Sequence, residues 1–162
     1  GNTVPASGTG GPASASIDNG GGPLCRFDPT ATAFGAAGAT PAGKMAPQGA
    51  FRFKLIGCNP GATVRVTTVW PLPVADFTKF SRGAFLPASH FTISGNTVSF
   101  DVTDGGLGDD DGQQNGEIVD PAMPLAARGG ATAIPTLGEW GLLVLSALLG
   151  TLGWRRRSLS AR

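Results

Sequence analysis

Apolar and polar residues alternate with period two through the middle of the chain. In "AFRFKLIGC" Phe51, Phe53 and Leu55 fall on one face and Arg52 and Lys54 on the other. In "ATVRVTTVW" Val64, Val66 and Thr68 stand opposite Arg65 and Thr67. This is the pattern of half-buried strands. Between the two runs, Pro60 and Gly61 take the central positions that a type II turn favours. Further on, "FTISGNTVSFDV" predicts a hairpin, with Phe91 and Ile93 before Gly95-Asn96 and Val98, Phe100 and Val102 after it. Residues 23–127 show no helical period. The expected fold is therefore all-β, a small antiparallel β-sandwich, with a Gly-rich N-terminal arm and one C-terminal hydrophobic helix.

The two ends break the pattern in different ways. Residues 1–22 are almost entirely Gly, Ser, Ala, Pro and Thr, with too little bulky apolar surface to offset the entropy of ordering them. They read as a linker or free arm, able to become a strand where a neighbouring subunit offers an open sheet edge. No charged and apolar leader precedes Gly1, so the sequence is expected to be either trimmed of its signal peptide or an excerpt. At the other end, after a linker at 128–133, Trp140 to Trp154 carries no charge and ends in Arg155, Arg156 and Arg157. As a helix this run spans about 22 Å, short of the ~30 Å hydrocarbon core unless the residues before it contribute. It fits either a buried core helix or a marginal membrane span. The tryptophans at both ends, the arginine stop and the apolar character on every face favour lipid, with the arginines held in the cytoplasm and the body on the far side.

Charge sharpens this division. The formal total is +1, but the eight basic residues that precede the apolar run face eleven acids, so the body is net acidic. An acidic body without a basic stripe excludes nucleic acid as a partner, since that binding neutralises phosphates with Lys and Arg. With 26 glycines and 13 prolines in 162 residues, the composition suits many turns rather than a helical bundle.

Two features of the body carry chemistry. In an exported chain Cys25 and Cys58 read as one disulfide, the alternative being two buried thiols. The loop "DGGLGDDDGQQNGEIVD" places Asp109, Asp111, Gln113, Asn115, Glu117 and Asp120 at the alternate spacing of an oxygen-rich calcium loop. Gln114 stands where such a loop wants glycine, and strands flank it where helices would be wanted. The other reading is a solvated turn built on Asx hydrogen bonds.

The tail "IPTLGEWG", followed by an apolar run and "WRRR", resembles the IPTL-CTERM sorting signals, relatives of the PEP-CTERM signals. The resemblance implies that Ile134, Pro135, Thr136, Leu137, Glu139, Trp140 and Gly141 are the recognition element. It also implies that an exosortase-type membrane enzyme removes the helix and basic end, in a bacterium of the Gram-negative type. Gly138 departs from the commoner Ser. Pro135 fixes its own φ and disfavours helix before it, so the apolar run is entered from an extended lead. In the body, "PQGAFRFKLIGCNPGATVRVTTVWPLP", "ISGNTVSFDVTDGGLGDDDG" and "NGEIVDP" resemble the choice-of-anchor U domain, over roughly Gln48 to Pro124 with a start at "LCRFDPTATAF". That resemblance implies a surface location and an architecture, with no activity attached. "DFTKFSRG", within Asp76 to Phe91, departs from it most.

Enzyme readings fail motif by motif. "GATPAGKM" satisfies GxxxxGK, but Met45 replaces the residue that would hold magnesium. His90 is the sole histidine, and no GxSxG is present. Asp76 and Lys79 read as surface charges. Two function classes remain: a non-enzymatic surface or extracellular-matrix protein sorted through its tail, and a self-assembling fibre subunit that uses the arm as an added strand and the helix for packing.

Overall fold

The period-two segments pair into two antiparallel sheets that close on a shared apolar core. The computed structural model describes residues 3–5 and 11–129. The helix, sorting motif and basic stop expected between 134 and 162 lie outside the described residues. In chain order the strands are β1 (Thr3–Pro5), β2 (Ser14–Ile17), β3 (Arg26–Phe27), β4 (Ala33–Gly35), β5 (Lys44–Met45), β6 (Ala50–Ile56), β7 (Thr63–Val69), β8 (Asp76–Ser81), β9 (Ala84–Phe85), β10 (Thr92–Ser94), β11 (Thr97–Thr103) and β12 (Ile118–Ala127), with one 3-10 turn at Ala88–His90. One sheet has the order β1-β2-β7-β11-β10. The other runs β3-β6-β12-β8-β9, with β4 also on β6 and β5 on the end of β12.

The expected faces hold. Phe51, Phe53, Leu55, Val64, Val66, Thr68, Val98, Phe100 and Val102 are buried, while Arg52 and Arg65 are exposed. At the centre Trp70 packs edge-on against Phe34 and Phe77, at centroid distances of 5.2 and 6.1 Å. Its Nε1 donates to Thr68 Oγ1 (2.9 Å), and that hydroxyl donates to the Val98 carbonyl (3.2 Å), which satisfies two polar groups that would otherwise be orphaned in the core. Gly61 has φ +76 and Ala62 donates to the Asn59 carbonyl, as the Pro-Gly turn requires. Gly95, φ +61, closes the β10–β11 hairpin with Ser94 paired to Thr97.

The N-terminal segment differs from a free arm. β2 pairs with β7 from Ser14↔Val69 to Ile17↔Val66, and Ala13, Ala15 and Ile17 face the core. Averaged over 22 residues the composition is too poor to fold, but these three positions have period two and need only small side chains against an existing strand. The run Gly20–Gly22 is a packed corner. A Cβ on Gly21 would lie 2.4 Å from Cys25 Sγ, and the Gly21 carbonyl accepts from Asn59 N at 2.8 Å. The corner sits against the Cys25–Cys58 disulfide, which closes the end of the β3–β6 ladder where Arg26 faces Ile56.

β12 carries prolines inside a central strand, normally a poor place for a residue without an N–H. It pairs with β6 up to Ala122 and with β8 from Ala122 onward. Pro121 and Pro124 therefore each stand where one side of the strand has no ladder to complete. The acidic loop before β12 reaches the end of β8, where Arg82 N donates to Asp110 Oδ1 at 3.2 Å.

Candidate functional site

The loop from Asp104 to Glu117 joins β11 to β12, and its acids are used to build it. Asp104 is fully buried. Its Oδ2 accepts from the amides of Gly61 (2.8 Å) and Gly116 (3.0 Å), and its Oδ1 from Asn115 N (3.4 Å). Asp109 is also fully buried; its Oδ1 accepts from Val119 N (3.2 Å) and its Oδ2 from Gly105 N (2.9 Å). Burial pushes the Asp109 carboxyl above the usual carboxylate range, against the pull of those two amides, and the neighbouring Asp111 charge adds to the rise.

The six residues expected to ligate calcium are placed along this loop and the start of β12 but do not converge. Asp111 accepts from Gln113 N (2.7 Å) and Asn115 Nδ2 (2.9 Å), which hold its pKa below the usual value. Asn115 Oδ1 accepts from Glu117 N (2.8 Å), and Glu117 pairs with Lys54 at 2.7 Å. Asp120 points into the core toward Lys79. Among the described residues no group of three or more His, Cys, Asp or Glu is arranged to hold a metal ion. The donors that meet the oxygens of Asp109, Asp111 and Asn115 are N–H groups, the geometry of an Asx-turn scaffold.

The structure overturns the reading of Lys79 as a surface charge. Lys79 on β8 and Asp120 on β12 both face the core, with side chains 2% and 0% exposed, and Lys79 Nζ contacts Asp120 Oδ2. The Nζ lies 4.8 Å from the centroid of Phe100, and Phe53, also buried, is paired with Asp120 across the β6–β12 ladder. The loop backbone lies directly over the pair. A Cβ on Gly108 would meet Lys79 Nζ, and at φ +84 any other residue would be strained there. Apart from the Lys79 contact on Oδ2, neither Asp120 oxygen has a hydrogen-bond partner among the described residues. Burial pushes the Lys79 amine down to about 7, with Asp110 and Asp109 opposing the shift. Phe77, Lys79 and Ser81 alternate on one face of β8, as do Ile118, Asp120 and Ala122 on β12. That shared face was the one available signal, and the charge of both residues argued against it.

A surface cleft of about 270 Å³ adjoins Lys79, lined among others by Arg65, His90, Phe91, Phe100 and Asp101. Arg65 and Asp101 already occupy each other through two hydrogen bonds of 2.8 and 3.0 Å. Among the described residues no helix is long and apolar enough to cross a membrane.

No curated protein and no solved structure matches the chain. Residues 132–158 match the IPTL-CTERM motif, a stretch that contains the positions from Ile134 to Gly141 and Arg155 to Arg157. The chain thus pairs a disulfide-bonded β-sandwich with an IPTL-CTERM motif, a signal that indicates export, processing by the membrane enzyme exosortase and anchoring at the cell surface.

Proposed function

We propose that this is a non-enzymatic structural protein of the cell surface or extracellular matrix, with a body of the choice-of-anchor U type delivered by its tail. The observation that carries the reading is the IPTL-CTERM match at 132–158, immediately after a β body that ends with β12 at Ala127. The Cys25–Cys58 bond supports an oxidising destination. In the proposed sequence of events the apolar run from Trp140 holds the chain in the membrane and Arg155, Arg156 and Arg157 keep its end in the cytoplasm. The exosortase-type enzyme then reads Ile134 to Gly141 and separates the body from the helix. The acids of the Asp104–Asp120 segment serve stability in this reading. Fibre assembly through an added strand is not needed for this reading, since β2 of the N-terminal segment pairs with β7 of its own chain.

The test is made in a host that carries the processing enzyme. Pro135→Ala and Glu139→Ala are expected to leave full-length protein in the membrane fraction, while the unaltered chain reaches the surface. Equal surface delivery of all three would overturn the proposal.

A further inference from the structure

We infer that Lys79 and Asp120 condense into an intramolecular amide that covalently ties β8 to β12. Three observations carry this. The first is placement. Lys79 is paired with Ala122 across the β8–β12 ladder, so Asp120, two residues earlier on β12, is its diagonal neighbour on the same inward face, with Nζ against the carboxyl group. Two groups fixed in this way by strands on either side react as one molecule, without the entropy cost of an encounter.

The second is the poor fit of the pair as a salt bridge. A buried ion pair persists when further hydrogen bonds satisfy its oxygens, and Asp120 Oδ1 and Oδ2 have none among the described residues. An amide removes both charges, and a neutral carbonyl in the core costs far less than an unsatisfied carboxylate. The third is the enclosure. Phe100 lies beneath the amine and the Gly108 backbone closes over it, so the reacting atoms are kept from bulk water.

The step balances without any co-reactant. The ammonium proton passes to the Asp120 carboxylate, leaving a neutral amine and a neutral acid. Burial favours that state, since it already draws the Lys79 pKa down to about 7. The Nζ lone pair attacks Cγ, the C–OH bond breaks, and an amine proton leaves with the hydroxyl as one water. The link cannot be reduced, unlike Cys25–Cys58. It goes beyond the sorting proposal and does not depend on it.

The experiment is intact mass spectrometry of the folded, purified wild-type chain after reduction of the disulfide, followed by tryptic mapping. The expected mass is that of the sequence less one water. The expected map lacks cleavage after Lys79 and joins the peptide Val66–Arg82 to Gly83–Arg128. Lys79→Arg is expected to restore the full mass. An undiminished wild-type mass with cleavage after Lys79 overturns the inference. So does a one-water deficit that maps to a cyclised Asp-Gly pair, Asp104-Gly105 or Asp111-Gly112, with Lys79 still cleavable. The wild-type measurement decides the matter even if the variant does not fold.

Discussion

Asp104, the first residue of the loop after β11, holds the amide of Gly61 at 2.8 Å across 43 residues of chain, and the same oxygen holds Gly116 at 3.0 Å. One buried carboxylate thereby ties the β6–β7 turn to the end of the acidic loop. Removing it leaves the amides it caps without their acceptor inside the protein. Asp104→Ala is expected to cost about 2–4 kcal/mol, and Asp104→Asn, which keeps one acceptor oxygen, clearly less. Urea unfolding checks both. A midpoint for the alanine variant equal to that of the wild type would show that the loop is held by other contacts.

The disulfide acts on the same end of the molecule. Cys25 and Cys58 enclose a separation of 33 residues and anchor the packed glycine corner against β6. Replacing both by serine is expected to cost about 3–4 kcal/mol by loop entropy. Thermal unfolding of the double variant beside the oxidised wild type gives the comparison. Equal melting temperatures would contradict it.

The strands were legible in the sequence because their alternation is strict: Phe51, Phe53 and Leu55 in β6 and Val98, Phe100 and Val102 in β11 face inward as the pattern requires. The disulfide was legible as the pairing of two cysteines in an exported chain. The arm was misjudged because a strand of Ala and Ser has alternation without bulk, and Ala13, Ala15 and Ile17 suffice only once β7 is there to receive them. The acidic loop was legible as chemistry but not as geometry. Spacing suggested convergent ligands, whereas Asp104 and Asp109 turn inward to backbone amides and Asp120 lies on the core face of β12. Lys79 was the least legible of all. A lysine between Phe77 and Phe80 reads as exposed until its strand is seen to face Asp120.

The loop geometry also sets an expectation for calcium. The oxygens of Asp109, Asp111 and Asn115 accept from N–H donors, and Glu117 is paired with Lys54. Millimolar calcium is therefore expected to leave the melting temperature unchanged, with or without EDTA. A rise that EDTA reverses would mean that the loop reorganises around the ion.

The most direct test of the central claim is the identity of the mature protein's last residue at the cell surface of its native host. C-terminal peptide mapping of surface-released protein is expected to find β12 and the linker but nothing of the apolar run from Leu142 to Leu152 or of Arg155–Arg157. Recovery of that run and those arginines in the surface-exposed protein would contradict sorting by processing at the IPTL-CTERM motif.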